Sequence, residues 1–162
     1  MQLNPSIPLH SIDTEILTRL GIAALIGLAL GLDRELRGHA AGMRTHGLIC
    51  FAASIMTVAM LALYNQLDGT ESMDPLRVFE GAGAFVGIVA AGLIVVTKGE
   101  VHNLTTAVNI WLATVIGIAC GAGQWPLVAI GVGLGIVMLT GLGFVEQRFF
   151  PNTEKRRPEN RE

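Results

Sequence analysis

Between Val101 and Val145 the sequence contains no Lys, Arg, Asp or Glu. A second stretch free of these residues extends from Thr45 to Leu67. Soluble domains contain about 25% charged residues, whereas this chain has 15% charged and 51% hydrophobic residues. An uncharged run of roughly 18 residues or more is long enough to cross a bilayer as a helix. The sequence therefore indicates an integral membrane protein.

Turn signals divide the apolar sequence into five predicted helices. The run after Val101 is too long for one crossing, which needs about 20 residues, and the segment Gly121–Pro126 (GAGQWP) breaks it. The first span is the weakest, because only Leu20 to Leu32 is free of charge, and a half-buried helix is the alternative there. We predict an all-α membrane protein, a bundle of five transmembrane helices within 15–147. The predicted helices are 15–33, 45–66, 76–97, 103–121 and 125–147.

Lysine and arginine are unevenly divided between the two sides of this bundle. Arg19 and Arg77 fall on one side, and all the other basic residues fall on the opposite side. Cytoplasmic loops carry an excess of Lys and Arg. We therefore expect the N-terminus outside and the C-terminus in the cytoplasm. Residues 1–14 would form an outer arm, and 148–162 a basic, disordered cytoplasmic tail.

The segment from Gly31 to His46 is a dense patch of charge between two apolar spans, with Arg34 and Glu35 at its centre. Asp33 falls at the C-terminal end of helix 1, where the helix dipole disfavours an anion. It therefore needs a partner, either Arg37 four residues on or Arg44. One interpretation is a helix end fixed by an ion pair. The other is a cation or proton site in the bundle that uses Asp33.

Two predicted helix starts share the cytoplasmic face. Helix N-termini have free N–H groups and partial positive charge, so together they suit an anion or a lipid phosphate. The alternative is ordinary capping by Thr45 and Asn103, with Arg44 in solvent or on lipid. The polar residues at the two starts are Arg44, Thr45 and His46 in helix 2, and Asn103, Thr105 and Thr106 in helix 4.

Two further polar residues have two interpretations each. Asn109, one turn after Thr105, either makes an interhelical hydrogen bond or lines a pathway. Glu80, in the first turn of helix 3, either faces the outer headgroups or forms an external cation gate. Cys50 and Cys120 sit in apolar runs and are interpreted as small core residues.

Other classes of protein lack support in the sequence. The four His residues are scattered, and no metal-ligand spacing, nucleophile elbow, P-loop or dinucleotide fingerprint is present. We expect no enzymatic activity, no metal site, no cofactor and no nucleic-acid partner. The formal net charge of −2 is too small to name a partner.

Small residues spaced four apart mark helix faces that neighbouring helices can approach closely. Such faces serve either packing within the chain or a homodimer, and we expect a dimer through one of them. The residues are Ala23, Gly27 and Gly31 in helix 1, Gly83 and Gly87 in helix 3, Gly117 and Gly121 in helix 4, and Gly131 and Gly135 in helix 5.

The order of these motifs resembles the MgtC/SapB family over roughly 17–147. Gly31–Glu35 (GLDRE) followed by Ala41–His46 (AGMRTH) is similar to the family's acidic-Arg-Glu run and its A-G-[LM]-R-T-[HN] motif. The segments around the starts of helices 3 and 4 also fit. They are Asp74-Pro75 with Arg77, and Asn103–Ala107 (NLTTA) with Trp111. In two departures, Phe85–Gly92 has lost two of the family's glycines, and Asn103 stands where the family usually has Gly.

The resemblance implies a multi-pass protein of the bacterial inner membrane that is linked to magnesium limitation. It also implies that this chain is the membrane domain only, without the soluble C-terminal domain of virulence-type members. One hypothesis is a regulator that docks on other membrane complexes, with lipid and a second copy as further partners. The alternative is a carrier or channel for an ion, with Asp33, Arg44, Asn109 and Glu80 along its route.

Overall fold

The computed structural model describes residues 14–66, 74, 76–97 and 99–141. Within them, five α-helices and one β-hairpin follow in order. The helices are α1 (Thr14–Leu36), α2 (Met43–Gln66), α3 (Arg77–Leu93), α4 (Leu104–Gly121) and α5 (Trp125–Ile136), and the strands are β1 (Val95–Thr97) and β2 (Glu100–His102). A π-helical turn, Val137–Gly141, continues α5. Residues 1–13 of the predicted arm, the predicted tail and the end of predicted helix 5 lie outside the described residues.

Three of the described helices are long and apolar enough to cross a membrane. They are α1, the part of α2 from Met43 to Tyr64, and α4. The other two are shorter: α3 has 17 residues, and α5 with its π-helical turn covers Trp125–Gly141. The chain is thus a helical membrane protein with five helices in its described part. The number of crossings beyond three, and the direction of the termini, remain predictions.

Glycine brings α1 and α2 together as an antiparallel pair. A Cβ atom at Gly27 would lie 2.6 Å from the carbonyl oxygen of His46, and one at Gly31 would lie 2.6 Å from Cα of Met43. Real side chains do not approach a backbone so closely, so only glycine permits this contact. With the fully buried Ala23, these two glycines form the packed face of α1.

The central helix is α4, which contacts α1, α2, α3 and α5. It runs parallel to α2, because Gly117 abuts Cys50 and Ala53 while Gly121, one turn on, abuts Ser54 and Thr57.

The largest buried cluster joins α1, α2, α4 and α5. Its residues are Ala23, Leu30, Cys50, Ala113, Ile116, Ala119, Cys120 and Val128. Both cysteines are free and buried, which confirms their interpretation as core residues.

The predicted extent of helix 3 is wrong at its C-terminal end. The helix stops at Leu93, and Val95–Thr97 pairs antiparallel with Glu100–His102, with Val96 opposite Val101. The sequence after Leu93 is β-branched (IVVT), which lowers helix propensity and favours a strand. Gly99 has φ +82°, a conformation that glycine adopts without strain. The all-α class is therefore corrected to a helical bundle with one short hairpin.

The remaining small residues are less tightly packed, and they differ from one another. A Cβ at Gly83 would touch the ring of Trp111 at 3.4 Å, one at Gly131 would lie 3.8 Å from Ile116, and one at Gly135 would lie 2.9 Å from Leu112. At Gly87 nothing lies within 4 Å. The face of α3 around Gly87 is thus open in the single chain, and the homodimer remains a prediction.

Substitution of Gly117 by Ala should destabilise the bundle, because the new Cβ would overlap the Cys50 carbonyl group. We expect a loss of about 1–3 kcal/mol, as for other over-packed cores. The matched control is Gly87→Ala, which should be neutral or stabilising by up to about 1 kcal/mol through helix propensity. Thermal unfolding of the detergent-purified protein measures both. Equal melting temperatures for the two variants would contradict the close approach of α2 and α4.

Candidate functional site

Asp33 and Arg37 form an ion pair at the end of α1. The Arg37 Nε atom donates a hydrogen bond of 2.8 Å to Asp33 Oδ1, and the two side chains are 40% and 28% exposed. The pair forms because α1 continues to Leu36, beyond the predicted end at 33. Such an exposed pair contributes only about 0.2–1 kcal/mol. The geometry thus favours a fixed helix end at Asp33, and the cation or proton site remains a hypothesis.

Glu35 accepts a hydrogen bond from a free backbone N–H group at the start of α2. Its Oε2 atom accepts a 3.0 Å hydrogen bond from the backbone N–H of Met43, the first residue of that helix. A carboxylate is favoured at this position by the positive end of the helix dipole. The interpretation of Thr45 as the cap is wrong, because the helix begins at Met43 and Thr45 lies inside its first turn. The side chain of Glu35 also fills the space beside Gly42, where any Cβ would overlap it.

Asn103 precedes α4 but does not cap it with its side chain, so the capping interpretation is wrong here as well. Its φ is +64°, the left-handed conformation that Asn tolerates better than most residues. This conformation explains how Asn can replace the glycine expected from the family resemblance. Its Nδ2 atom instead donates a 3.2 Å hydrogen bond to the carbonyl of Leu93, which ties the end of α3 to the start of α4.

Four polar side chains are buried near the end of the bundle that carries the 37–42 loop, and we call them the polar layer. Arg34 is 6% exposed, His46 0%, Thr106 1% and Asn109 6%. They come from three helices: Arg34 from α1, His46 from α2, and Thr106 and Asn109 from α4. Arg34 is buried because it continues the face of α1 that also carries Ala23 and Leu30.

The register of the helices brings α1 and α4 to one level in this layer. They run antiparallel, since Arg19 near the start of α1 donates a 2.8 Å hydrogen bond from Nη1 to the carbonyl of Gly121 at the end of α4. Gly27 of α1 and Gly117 of α4 both abut Cys50, so they lie near one level. Two turns onward along α1 and two turns back along α4 therefore place Arg34 near the level of Asn109.

His46 joins the layer from α2. Cys50 of α2 abuts Gly117 of α4, and the two helices are parallel. One turn earlier on each helix, His46 therefore lies at the level of Ala113, which is one turn from Asn109.

Several donors and acceptors of the polar layer have no hydrogen-bond partner among the described residues. They are Arg34 Nε and Nη2, His46 Nε2, Thr106 Oγ1 and Asn109 Nδ2. Buried Thr57 and Thr114 differ, because each donates to the carbonyl four residues earlier in its own helix. Each unpaired buried polar group costs roughly 1–3 kcal/mol. A cluster of such groups is therefore a candidate binding site.

The other predicted site residues lie outside this layer. Thr105 and Glu80 are exposed. Arg44 is also exposed and borders an apolar groove of about 400 Å³ on the outer face of α1 and α2, lined by Ala24, Leu28, Gly47, Leu48 and Phe51. Next to the layer, partial burial lowers the pKa of His39, and the nearby charge of Arg34 lowers it further.

The sequence interpretation named all four residues of the polar layer, but its ion route ran through Asp33, Arg44, Asn109 and Glu80, and of these only Asn109 belongs to the layer. One signal in the sequence does point to Arg34: it follows Leu30 by one turn on the same face as Ala23 and Gly27. In the part of the chain that the structure describes, no three His, Cys, Asp or Glu residues are grouped so that they could hold a metal ion.

The model of the MgtC family matches residues 20–148. This chain belongs to the MgtC family. The match contains all four residues of the polar layer, all five helices from Leu20 onward, and the loop at 37–42. The family resemblance expected from the sequence motifs is thus confirmed.

Curated relatives of this MgtC-family chain are 29% to 37% identical to it over the residues that match. It is 33% identical to "Putative magnesium transporter YhiD" of Escherichia coli over 77% of the chain and 59% of that protein. It is 37% identical to "Protein SapB" of Bacillus subtilis over 69% of the chain and 50% of that protein. It is 29% identical to "Protein MgtC" of Salmonella typhimurium over 64% of the chain and 42% of that protein. The chain thus spans about half the length of these relatives, and no solved structure matches it.

Substitution of Glu35 by Ala should destabilise the protein by about 1 kcal/mol, as the loss of other helix N-caps does. The backbone N–H of Met43 would lose its acceptor. Glu35→Gln, which keeps an acceptor oxygen, should lose less. Asp33→Ala is the control, because it removes an exposed pair and should cost below about 1 kcal/mol. Chemical unfolding in detergent measures all three, and a larger loss for Asp33→Ala than for Glu35→Ala would contradict the assignment of the cap.

Proposed function

We propose that this MgtC-family protein is a regulator in the bacterial inner membrane that acts in magnesium homeostasis by docking on other membrane complexes. It does not conduct the ion itself. The polar layer is the part of the bundle through which it responds to conditions in the cell. Its activity is regulatory and not enzymatic.

The observation that carries this proposal is the positive charge of the polar layer. Arg34 is almost fully buried, and in a medium of low dielectric constant its charge acts strongly on any ion nearby. A desolvated guanidinium at this level opposes the passage of Mg²⁺ between α1, α2 and α4. The neighbouring carboxylates are engaged elsewhere, Asp33 with Arg37 and Glu35 with the start of α2.

In this proposal the chain crosses the membrane five times, with the 37–42 loop and the C-terminus in the cytoplasm. The support is the excess of Lys and Arg on that side. In this proposal the shorter helices α3 and α5 also cross the membrane. The polar layer then lies close to the cytoplasmic surface, where a signal from inside the cell can reach it.

The docking surface in this proposal is the open face of α3. A Cβ atom added at Gly87 would meet no neighbouring atom within 4 Å. The nearby side chains of Phe85 and Ile88 are 66% and 74% exposed. A small residue between large apolar ones lets another helix approach in lipid. A second copy of the chain or a helix of another membrane complex fits this face.

The second candidate is an ion carrier, and the name of one relative favours it, since the Escherichia coli protein is called a magnesium transporter. In that case Asp33 at one end and Glu80 on α3 would bind the cation. Asp33 would then have to leave Arg37 during each cycle.

Growth and flux measurements separate these two candidates. In a strain that lacks the gene, the wild-type chain should restore growth at limiting magnesium. Arg34→Gln should not restore it, whereas Asp33→Asn and the matched control Arg37→Gln should. Immunoblots of the membrane fraction establish that the variants are present in equal amounts.

In liposomes loaded with a magnesium-sensitive dye, the purified wild-type protein should give no more flux than empty liposomes. Flux that depends on Asp33 would overturn the regulatory proposal in favour of the carrier. Full growth with Arg34→Gln would contradict the proposed role of the polar layer in regulation.

A further inference from the structure

We propose that the polar layer is a binding site for a phosphate group, held between α1, α2 and α4. This inference goes beyond the proposed function, because it assigns a ligand and depends only on the geometry of the layer.

The first argument is the edge that Arg34 leaves free. Its atoms without a partner in the described residues are Nε and Nη2. These two atoms lie on the same edge of the planar guanidinium, so their N–H bonds point in parallel. This is the edge with which arginine binds two oxygens of a phosphate or carboxylate at once.

The second argument is that no carboxylate among the described residues accepts a hydrogen bond from this edge. Asp33, the residue before Arg34, accepts from Arg37, and Glu35, the residue after it, accepts from Met43. The side chain of Asp33 is partly buried and that of Glu35 is exposed. A buried arginine normally has an acidic partner, and here an external anion would take that role.

The third argument is the set of polar groups that the helix register places near the level of Arg34. Asn109 Nδ2 and Thr106 Oγ1 are further unpartnered donors, and both lie in the first turns of α4. The N-terminus of α4 therefore adds partial positive charge, which favours a phosphate.

The fourth argument selects phosphate among oxyanions. His46 Nδ1 lies 2.9 Å from the carbonyl oxygen of Gly42, which can only accept, so Nδ1 carries the proton. In the neutral ring Nε2 is then an acceptor, and it is buried and unpartnered. A phosphate monoester or inorganic phosphate has a P–OH group that can donate to this nitrogen. Sulfate has no such proton at neutral pH.

Two sources have this chemistry, inorganic phosphate in the cytoplasm and the phosphomonoester headgroup of phosphatidic acid in the membrane. The full chain in a maltoside detergent, which contains no phosphate, can be titrated with each. Calorimetry measures inorganic phosphate, and native mass spectrometry measures retained phosphatidic acid. We expect at least one of them to bind the wild-type chain, and the one that binds identifies the source.

The variants test the geometry. Arg34→Gln should abolish binding, and Arg34→Lys should weaken it at least tenfold, because lysine keeps the charge but not the parallel edge. Thr106→Val and Asn109→Leu should each weaken it several-fold. The control Arg44→Gln, which changes an exposed arginine outside the layer, should bind as the wild type does.

Three results would overturn the proposal. They are no binding of either ligand to the wild-type chain, undiminished binding by all of the variants at Arg34, Thr106 and Asn109, and binding of sulfate as tight as that of phosphate. If Arg34→Gln fails to fold, as judged by circular dichroism and gel filtration, Arg34→Lys and Thr106→Val decide the test. Binding in detergent does not involve growth or flux, so this proposal and the regulatory function can fail separately.

Discussion

The close approach of backbones at glycine determines the rest of this structure. In a bilayer, lipid tails are as apolar as leucine, so helices associate through van der Waals packing and not through the exclusion of water. At Gly27 and Gly31, α1 packs closely against α2, and at Gly117 and Gly121, α4 packs closely against α2. These contacts fix the register of three helices, since a slide by one turn would place a residue with a Cβ atom at one of the two glycine positions of each pair. The position of every polar side chain on the inner faces follows from that register.

The polar layer is a consequence of this packing. The face of α1 that begins with Ala23 and continues through Leu30 reaches Arg34 before the helix ends. A guanidinium there is enclosed by α2 and α4 although it lies only one turn from the 37–42 loop. The free energy needed to bury this charge depends on its depth, because it is lower near the end of a span than at the centre of the bilayer. The bundle can therefore retain a buried arginine at this level.

The sequence predicted the five helices because each depends on composition and local turn signals. It also gave Arg37 as one of two candidate partners of Asp33, because that pair needs only helical spacing. It missed the hairpin after Leu93, since a run of apolar residues that follows a helix has the same composition whether the helix continues or a strand begins. The β-branched residues of Val95–Thr97 and the glycine at 99 were the available signals. Arg34 and Arg44 differ little in the sequence, because which arginine is buried depends on the register between helices.

A buried arginine without an acidic partner is a poor choice for stability alone. Replacing buried ionic groups by apolar residues of similar volume is often neutral or stabilising, and Met or Leu at position 34 would extend the apolar face that Leu30 belongs to. The neighbouring threonines 57 and 114 show how a polar group in this bundle is satisfied within its own helix. Arg34, Thr106 and Asn109 are not satisfied in that way in the described structure. Their energetic cost is offset if the same atoms bind a ligand, which makes the layer a functional feature of the fold.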